Sequence, residues 1–172
     1  MKEIPLTKGY IALVDDEDYG QVSSFNWYTW IDRRKDGTIR NVYAISNRGK
    51  GASRTTLKLH RFLMGVIDPK IDIDHKDHNG LNCCRTNLRV CTRSQNCQNR
   101  RVKHVRNTSG FKGVSWHRGH KSWYAQIMIN GKQKALGDFQ NIEDAAIAYN
   151  NAAKEIFGEF ANLNPIPPER VL

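Results

Sequence analysis

No apolar run in this sequence approaches the roughly 18 residues that a membrane-spanning helix needs. The opening stretch, MKEIPLTKGYIALVDDEDYG, has no apolar core and soon turns acidic. A secretory signal is therefore not expected, and the cytosol is the expected compartment. The four cysteines, Cys83, Cys84, Cys91 and Cys97, fall within fifteen residues, yet no pair has CxxC spacing. That pattern speaks against a zinc-organised interaction module. Structural zinc is not expected, and the thiols read as small buried side chains. Acidic residues are missing from two stretches. Asn99 to Phe111 has four basic residues and no acid, and Lys112 to Lys134 has five and none. From Ala135 to Leu172 the balance reverses, with two basic and six acidic residues.

What is present is a folding sequence of 172 residues, 39% apolar, with a formal charge of +10. The length suits one ordinary domain or two small ones. The basic excess points to a polyanion, and its segregation into blocks points to one binding face. A membrane is not among the expected partners.

The first segment, to about Ile67, reads as β-rich. GYIALVDDEDYG holds a short apolar run and then a turn-like acidic cluster. FNWYTW and NVYAIS read as strands, separated by a hairpin signal at Asp36-Gly37. TTLKLHRFLMG begins with strand alternation and becomes helical in spacing before it stops at Gly65. From Ile71 to about Arg101 the order is short strand, polar loop, second short strand NLRV, and a helix that Thr92 or Ser94 can cap. So small a unit needs support from the first segment or from a bound metal. NRRVKHVRNTSG then reads as a linker. It is either a solvated helix end or a track of positive charge along a phosphate backbone. The second reading makes Arg100, Arg101, Lys103 and Arg106 DNA contacts.

The stretch IDIDHKDHNG, Ile71 to Gly80, ends a strand on a carboxylate and an imidazole side by side, Asp74 and His75. Asn87 starts the next strand and Asn96 lies in the following helix. Carboxylate and amide oxygens suit a hard cation such as magnesium or calcium. A neutral imidazole at His75 can take a proton from a water. His60 reads as structural and His78 as a solvated loop residue. DH, then NLR, then SQN resemble the HNH nuclease motif, a ββα-metal site, in its variant with Asn in the last place. LHRFLMG and the opening IPLTKGYIALVDDEDY also resemble phage and intron-encoded members. The resemblance implies that His75 is the general base, that Asn87 braces the loop, and that Asp74 and Asn96 hold the metal. Mg2+ is the expected ion, with Mn2+ as a substitute. The family chemistry leaves 5′-phosphate and 3′-hydroxyl ends.

The third segment has the clearest pattern. Trp123, Ala125, Ile127 and Ile129 alternate with Tyr124, Gln126 and Met128, as in a half-buried strand. Asn130-Gly131 marks a two-residue turn, which pairs Met128 with Gln133 and Gln126 with Ala135. A return strand runs from Lys132 to Leu136, where Gly137 breaks it. Asn141 can cap a helix whose apolar face holds Ile142, Ala145, Ala146, Tyr149, Ala153 and Ile156, and Gly158 can end it. GV, W-x-A-x-I, LG-x-F, EDAAIAYN-x-AA and the final G-x-x-A-x-LN closely resemble the Apetala/ethylene-response-factor DNA-binding domain. In that family a three-stranded sheet enters the major groove and a helix packs behind it. By that resemblance Gln126 and Gln133 face adenine edges, while Lys112, Arg118, Lys121 and Lys132 reach phosphates. Trp116 and His117 sit on the first turn, where that family contacts DNA. Ser115 and Met128 stand at reading positions where plant members have arginine, and Ala135 replaces a tryptophan, so the plant target sequence does not carry over.

The expected fold is α+β. A nuclease domain spans 1–98, with a β-rich N-terminal part and the ββα-metal motif at about 71–101. A basic linker covers 99–110, the sheet-and-helix DNA-binding domain 111–164, and a tail 165–172. The expected function is a homing-type, metal-dependent DNA endonuclease, acting as a monomer on double-stranded DNA and nicking one strand per active site. The alternative is a non-catalytic, sequence-specific DNA-binding regulator.

Overall fold

The computed structural model describes residues 1–49, 54–99 and 107–167. The described chain is α+β, with four antiparallel sheets and short helices. It divides into two compact units, Met1–Arg93 and Ser94–Leu172. Arg100, Arg101, Lys103 and Arg106 of the expected linker lie outside the described residues, as does most of the expected tail. Among the described residues no helix is long and apolar enough to cross a membrane.

In the first unit, β1 (Lys2–Pro5) pairs antiparallel with β2 (Ile11–Val14). The acidic run after β2 is not a turn but a helix, α1 (Asp16–Ser23). Asp16, Glu17 and Asp18 fill its first turn, where carboxylates oppose the positive end of the helix dipole. Val22 is fully buried and fixes its inner face. Asp18 is buried too, and its two oxygens accept from Arg85 Nε at 2.8 Å and Nη2 at 2.7 Å. A partner so distant in sequence is what hid this helix behind its charge.

Three strands, β3 (Tyr28–Arg33), β4 (Ile39–Arg48) and β5 (Thr55–Lys58), form a meander in sequence order. The β3–β4 turn closes as the Asp-Gly signal predicts, with Asp36 Oδ1 accepting from the Thr38 amide at 2.9 Å. The one-turn helix α2 (Leu59–Leu63) buries Leu59 and Leu63 on one face. β6 (Asp72–His75) and β7 (Leu88–Cys91) make the antiparallel hairpin that was expected. Ile73 and Leu88 share one core with Val14, Val22, Ala44 and Leu59. The hairpin therefore has no core of its own and is held by the β-rich segment before it.

The helix α3 (Arg93–Gln98) begins on the last residue of the first unit, and the second unit then holds a three-stranded sheet of β8 (Val114–His117), β9 (Ser122–Ile129) and β10 (Lys132–Phe139), with β9 in the middle. The helix α4 (Ile142–Phe157) packs on it through Ala145, Ala146, Tyr149 and Ala153, all buried. Its start is capped by Asn141, whose side chain accepts from the Glu143 amide at 2.8 Å. Alanines let the helix lie close to the sheet. The approach is close enough that a Cβ at Gly113, which also has φ +74, would collide with the Tyr149 ring. β10 does not stop at Leu136. The register shifts between Ala135 and Gly137, a bulge at Leu136, and pairing resumes at Gly137 and runs to Phe139. The chain returns through Asn164, which exchanges two hydrogen bonds with Asn150 of α4 and two with the backbone of Lys112.

No disulfide joins the four cysteines, and Cys83, Cys84 and Cys91 are buried, as small core residues should be. Burial pushes the Cys83 thiol up to about 12.

Candidate active site

The β6–β7 register sets Asp74 opposite Arg89 and His75 opposite Leu88. Neighbours along a strand point to opposite faces, so the carboxylate and the imidazole look away from each other. Arg89 donates to Asp74 Oδ2 twice, from Nε at 2.9 Å and from Nη2 at 2.7 Å, and both side chains are buried. Two charge-assisted bonds on one oxygen fix the carboxylate's orientation. Nothing in the spacing of DH and NLR singles out Arg89, and only the cross-strand register reveals it.

His75 is 6% exposed. Its ring meets His60 edge to face at 5.1 Å and lies 6.0 Å from Tyr43. Burial drives its pKa down from 6.5 to about 4, against the pull of Asp77 and Asp74. The imidazole is therefore neutral at neutral pH, the form in which it accepts a proton. His60 is held lower still, at about 3, by burial first and then by His75. Its Nδ1 is buried with no hydrogen-bond partner among the described residues. His60 thus packs as a structural residue, but against the very ring that the motif singles out.

The loop at 76–87 is braced from within. Asn87 Nδ2 donates to Asp77 Oδ1 at 3.0 Å and to the Asn82 carbonyl at 2.8 Å, and its Oδ1 accepts from the Asp77 amide at 3.1 Å. Asp77 also accepts from the Asn79 amide and from Asn82 Nδ2. Burial acts to raise Asp77, but these hydrogen bonds carry it below its ordinary value. The outer end of the loop is tied to β2, where Leu13 exchanges two backbone bonds of 2.8 Å with Leu81 and Cys83. Gly80 fits against β4, where a Cβ would strike the Tyr43 ring. Asp77, Asn82 and Gly80 were not singled out by sequence, because their value lies in mutual contacts.

Asn96 stands on α3, in the second unit. In that unit the observed register pairs Gln133 with Met128, Ala135 with Gln126 and Ser115 with Tyr124. Ser115, His117, Gln126, Met128 and Gln133 therefore share the sheet face away from α4. Met128 is 52% exposed there. Two other residues expected to contact DNA lie elsewhere. Trp116 pairs with Trp123, on the α4 side, and meets its ring edge to face at 5.1 Å. Lys112 is half-buried, its ammonium donates to the Gln98 carbonyl, and burial lowers it to about 8. Arg118 and Lys121 lie exposed on the β8–β9 turn, and Lys132 is exposed where β10 begins.

Residues 61–98, from α2 to the end of α3, match the HNH endonuclease family. Over 165 residues the chain is 33% identical to a protein of Acanthamoeba polyphaga mimivirus named "Uncharacterized HNH endonuclease L560", an alignment covering 92% of this chain and 77% of that one. The chain belongs to the HNH endonuclease family. It is also 32% identical over 110 residues to Protein 3.8 of Escherichia phage T7, covering 64% of this chain and 89% of that protein. The HNH match contains Asp74, His75, Asn87 and Asn96, and membership supports a nuclease that acts on DNA.

Proposed function

We propose that this chain is a metal-dependent DNA endonuclease of the homing type that hydrolyses one phosphodiester bond per active site. The observation that carries this reading is His75, an imidazole kept neutral by burial at the end of β6, where the chain opens into a braced polar loop. His75 takes the proton of the attacking water. Asn87 holds the loop through Asp77 and Asn82, and so fixes the strand end from which His75 projects. Arg89 is a positioning residue that holds the Asp74 carboxylate.

The donor chemistry fits a small hard cation. Asp74 supplies a buried, oriented carboxylate, and the family pattern assigns the Asn96 amide oxygen as the second protein donor. Held there, Mg2+ or Mn2+ would supply positive charge against that developing on the phosphate and the leaving 3′ oxygen.

The second unit resembles the Apetala/ethylene-response-factor domain in its motifs, and we assign DNA holding to it. Gln126, Gln133, Met128 and Ser115 are proposed to face bases, with Arg118, Lys121 and Lys132 on phosphates. Supercoiled plasmid and genomic DNA, incubated with Mg2+ or with EDTA, test the function. Nicked product with Mg2+ and none with EDTA supports it. Tight binding without any product under either condition supports the non-catalytic regulator instead.

A further inference from the structure

The second unit carries a group of side chains with metal-ligand chemistry that the nuclease motif does not use. His117 ends β8, His120 lies on the following turn, and Asp138 lies on β10 across the sheet. Taking one ligand atom from each, all three atoms lie within 4.8 Å of one another. In a tetrahedral zinc site, ligand atoms about 2.0–2.2 Å from the ion stand roughly 3.3–3.6 Å apart. All three residues are exposed, so their side chains have room to rotate toward an ion.

We propose that His117, His120 and Asp138 form a binding site for a borderline transition metal ion of the zinc class, with water completing the coordination. Two imidazoles and one carboxylate are the donor set such ions select, whereas Mg2+ and Ca2+ prefer oxygen alone. The groups are already turned toward one another. His117 Nδ1 accepts from the His120 amide at 3.0 Å, so its lone pair points into the turn. His120 Nδ1 lies 3.4 Å from Asp138 Oδ2, and the two imidazole rings are 4.1 Å apart. A cation at this place replaces the weak His120–Asp138 contact and the single bond to His117.

A buried hydroxyl prepares the carboxylate. Ser122 is 3% exposed and donates to Asp138 Oδ1 at 2.8 Å. That bond leaves Oδ2 aimed at His120, the outer support that ligating carboxylates commonly have. The strands impose the convergence. His117 pairs with Ser122, and Asp138 pairs with Tyr124 two residues on, so alternation sets all of them on one face.

The test uses the full chain, stripped with chelator and titrated with Zn2+ by calorimetry and with Co2+ by visible absorption. Asp74→Asn, first shown to keep the wild-type circular dichroism and thermal transition, serves as the background, so that the nuclease motif does not contribute. About one Zn2+ per chain is expected, with a Co2+ spectrum of tetrahedral or five-coordinate intensity. His120→Ala and Asp138→Asn should each weaken Zn2+ by well over tenfold, and Ser122→Ala by roughly 10-fold or more. The ligand residues are exposed, and unchanged circular dichroism confirms that these variants fold. Zn2+ binding equal in His120→Ala, Asp138→Asn and the background overturns the site, as does no binding in the background. Unchanged Zn2+ affinity in Asp74→Asn relative to wild type separates this site from the nuclease centre.

Discussion

His60 and His75 meet edge to face, with ring centroids 5.1 Å apart and planes 80° apart, and both residues are largely buried. One comes from α2 and the other from the end of β6, and Tyr43 of β4 touches both. The imidazole assigned to catalysis is thus held by aromatic packing from two other elements. Neither histidine can be protonated there without charging a buried space that already holds the other.

That arrangement predicts acid sensitivity. Both histidines have folded pKa values depressed from 6.5, His60 to about 3 and His75 to about 4. The unfolded chain therefore binds protons first as pH falls. Stability should be intact above about pH 6.5 and should fall from there toward about pH 4, by roughly 1.4 kcal/mol per pH unit for each histidine. Urea unfolding at several pH values measures this. His60→Phe should make the slope shallower; an unchanged slope would remove His60 from the effect.

Arg89→Ala should destabilise the first unit by roughly 3–5 kcal/mol, since it removes both charge-assisted bonds of the guanidinium to the buried Asp74 carboxylate. Asp74→Leu combined with Arg89→Met should cost far less. Denaturant midpoints of the two variants decide it, and equal losses would mean that the pair is not coupled.

Asn87→Ala should cut nicking sharply while leaving DNA affinity near wild type, because the loop loses three hydrogen bonds, to Asp77 and Asn82. Asn87→Asp should do worse, as it sets a second carboxylate against Asp77. Single-turnover rates at saturating enzyme read this directly. Wild-type rates in both variants would show the brace to be dispensable.

Lys121→Ala should weaken binding to every DNA sequence and reduce the slope of log affinity against log salt by about one unit. Lys112→Ala should leave that slope alone and lower thermal stability instead, because its ammonium is turned inward to Gln98. Gel shifts at several salt concentrations separate the two lysines. A salt-slope change for Lys112→Ala would return it to the phosphate footprint.

Local rules carried much of this fold. The Asn130-Gly131 turn fixed the register of β9 and β10, and the Asn141 cap and alanine face marked α4, because each depends on neighbours within a few positions. α1 was misread because its acidic run looked solvated, while the guanidinium that meets Asp18 comes from Arg85. Trp116, expected on a turn, lies in β8 opposite Trp123, a pairing that shows only in the strand register. At the candidate site, Asp74, His75 and Asn87 were legible as a motif. Arg89, Asp77 and His60 were not, since each matters only through what the fold brings against it.

The central claim is that His75 is a general base, and the most direct measurement is the nicking rate of His75→Ala beside its DNA affinity, on one DNA at one salt concentration with Mg2+. The expected result is a loss of roughly 10²- to 10⁴-fold in rate, partial recovery with added imidazole, no recovery with more metal, and nearly unchanged affinity. Cleavage by His75→Ala at the wild-type rate would contradict the account and leave the DNA-binding regulator as the better reading.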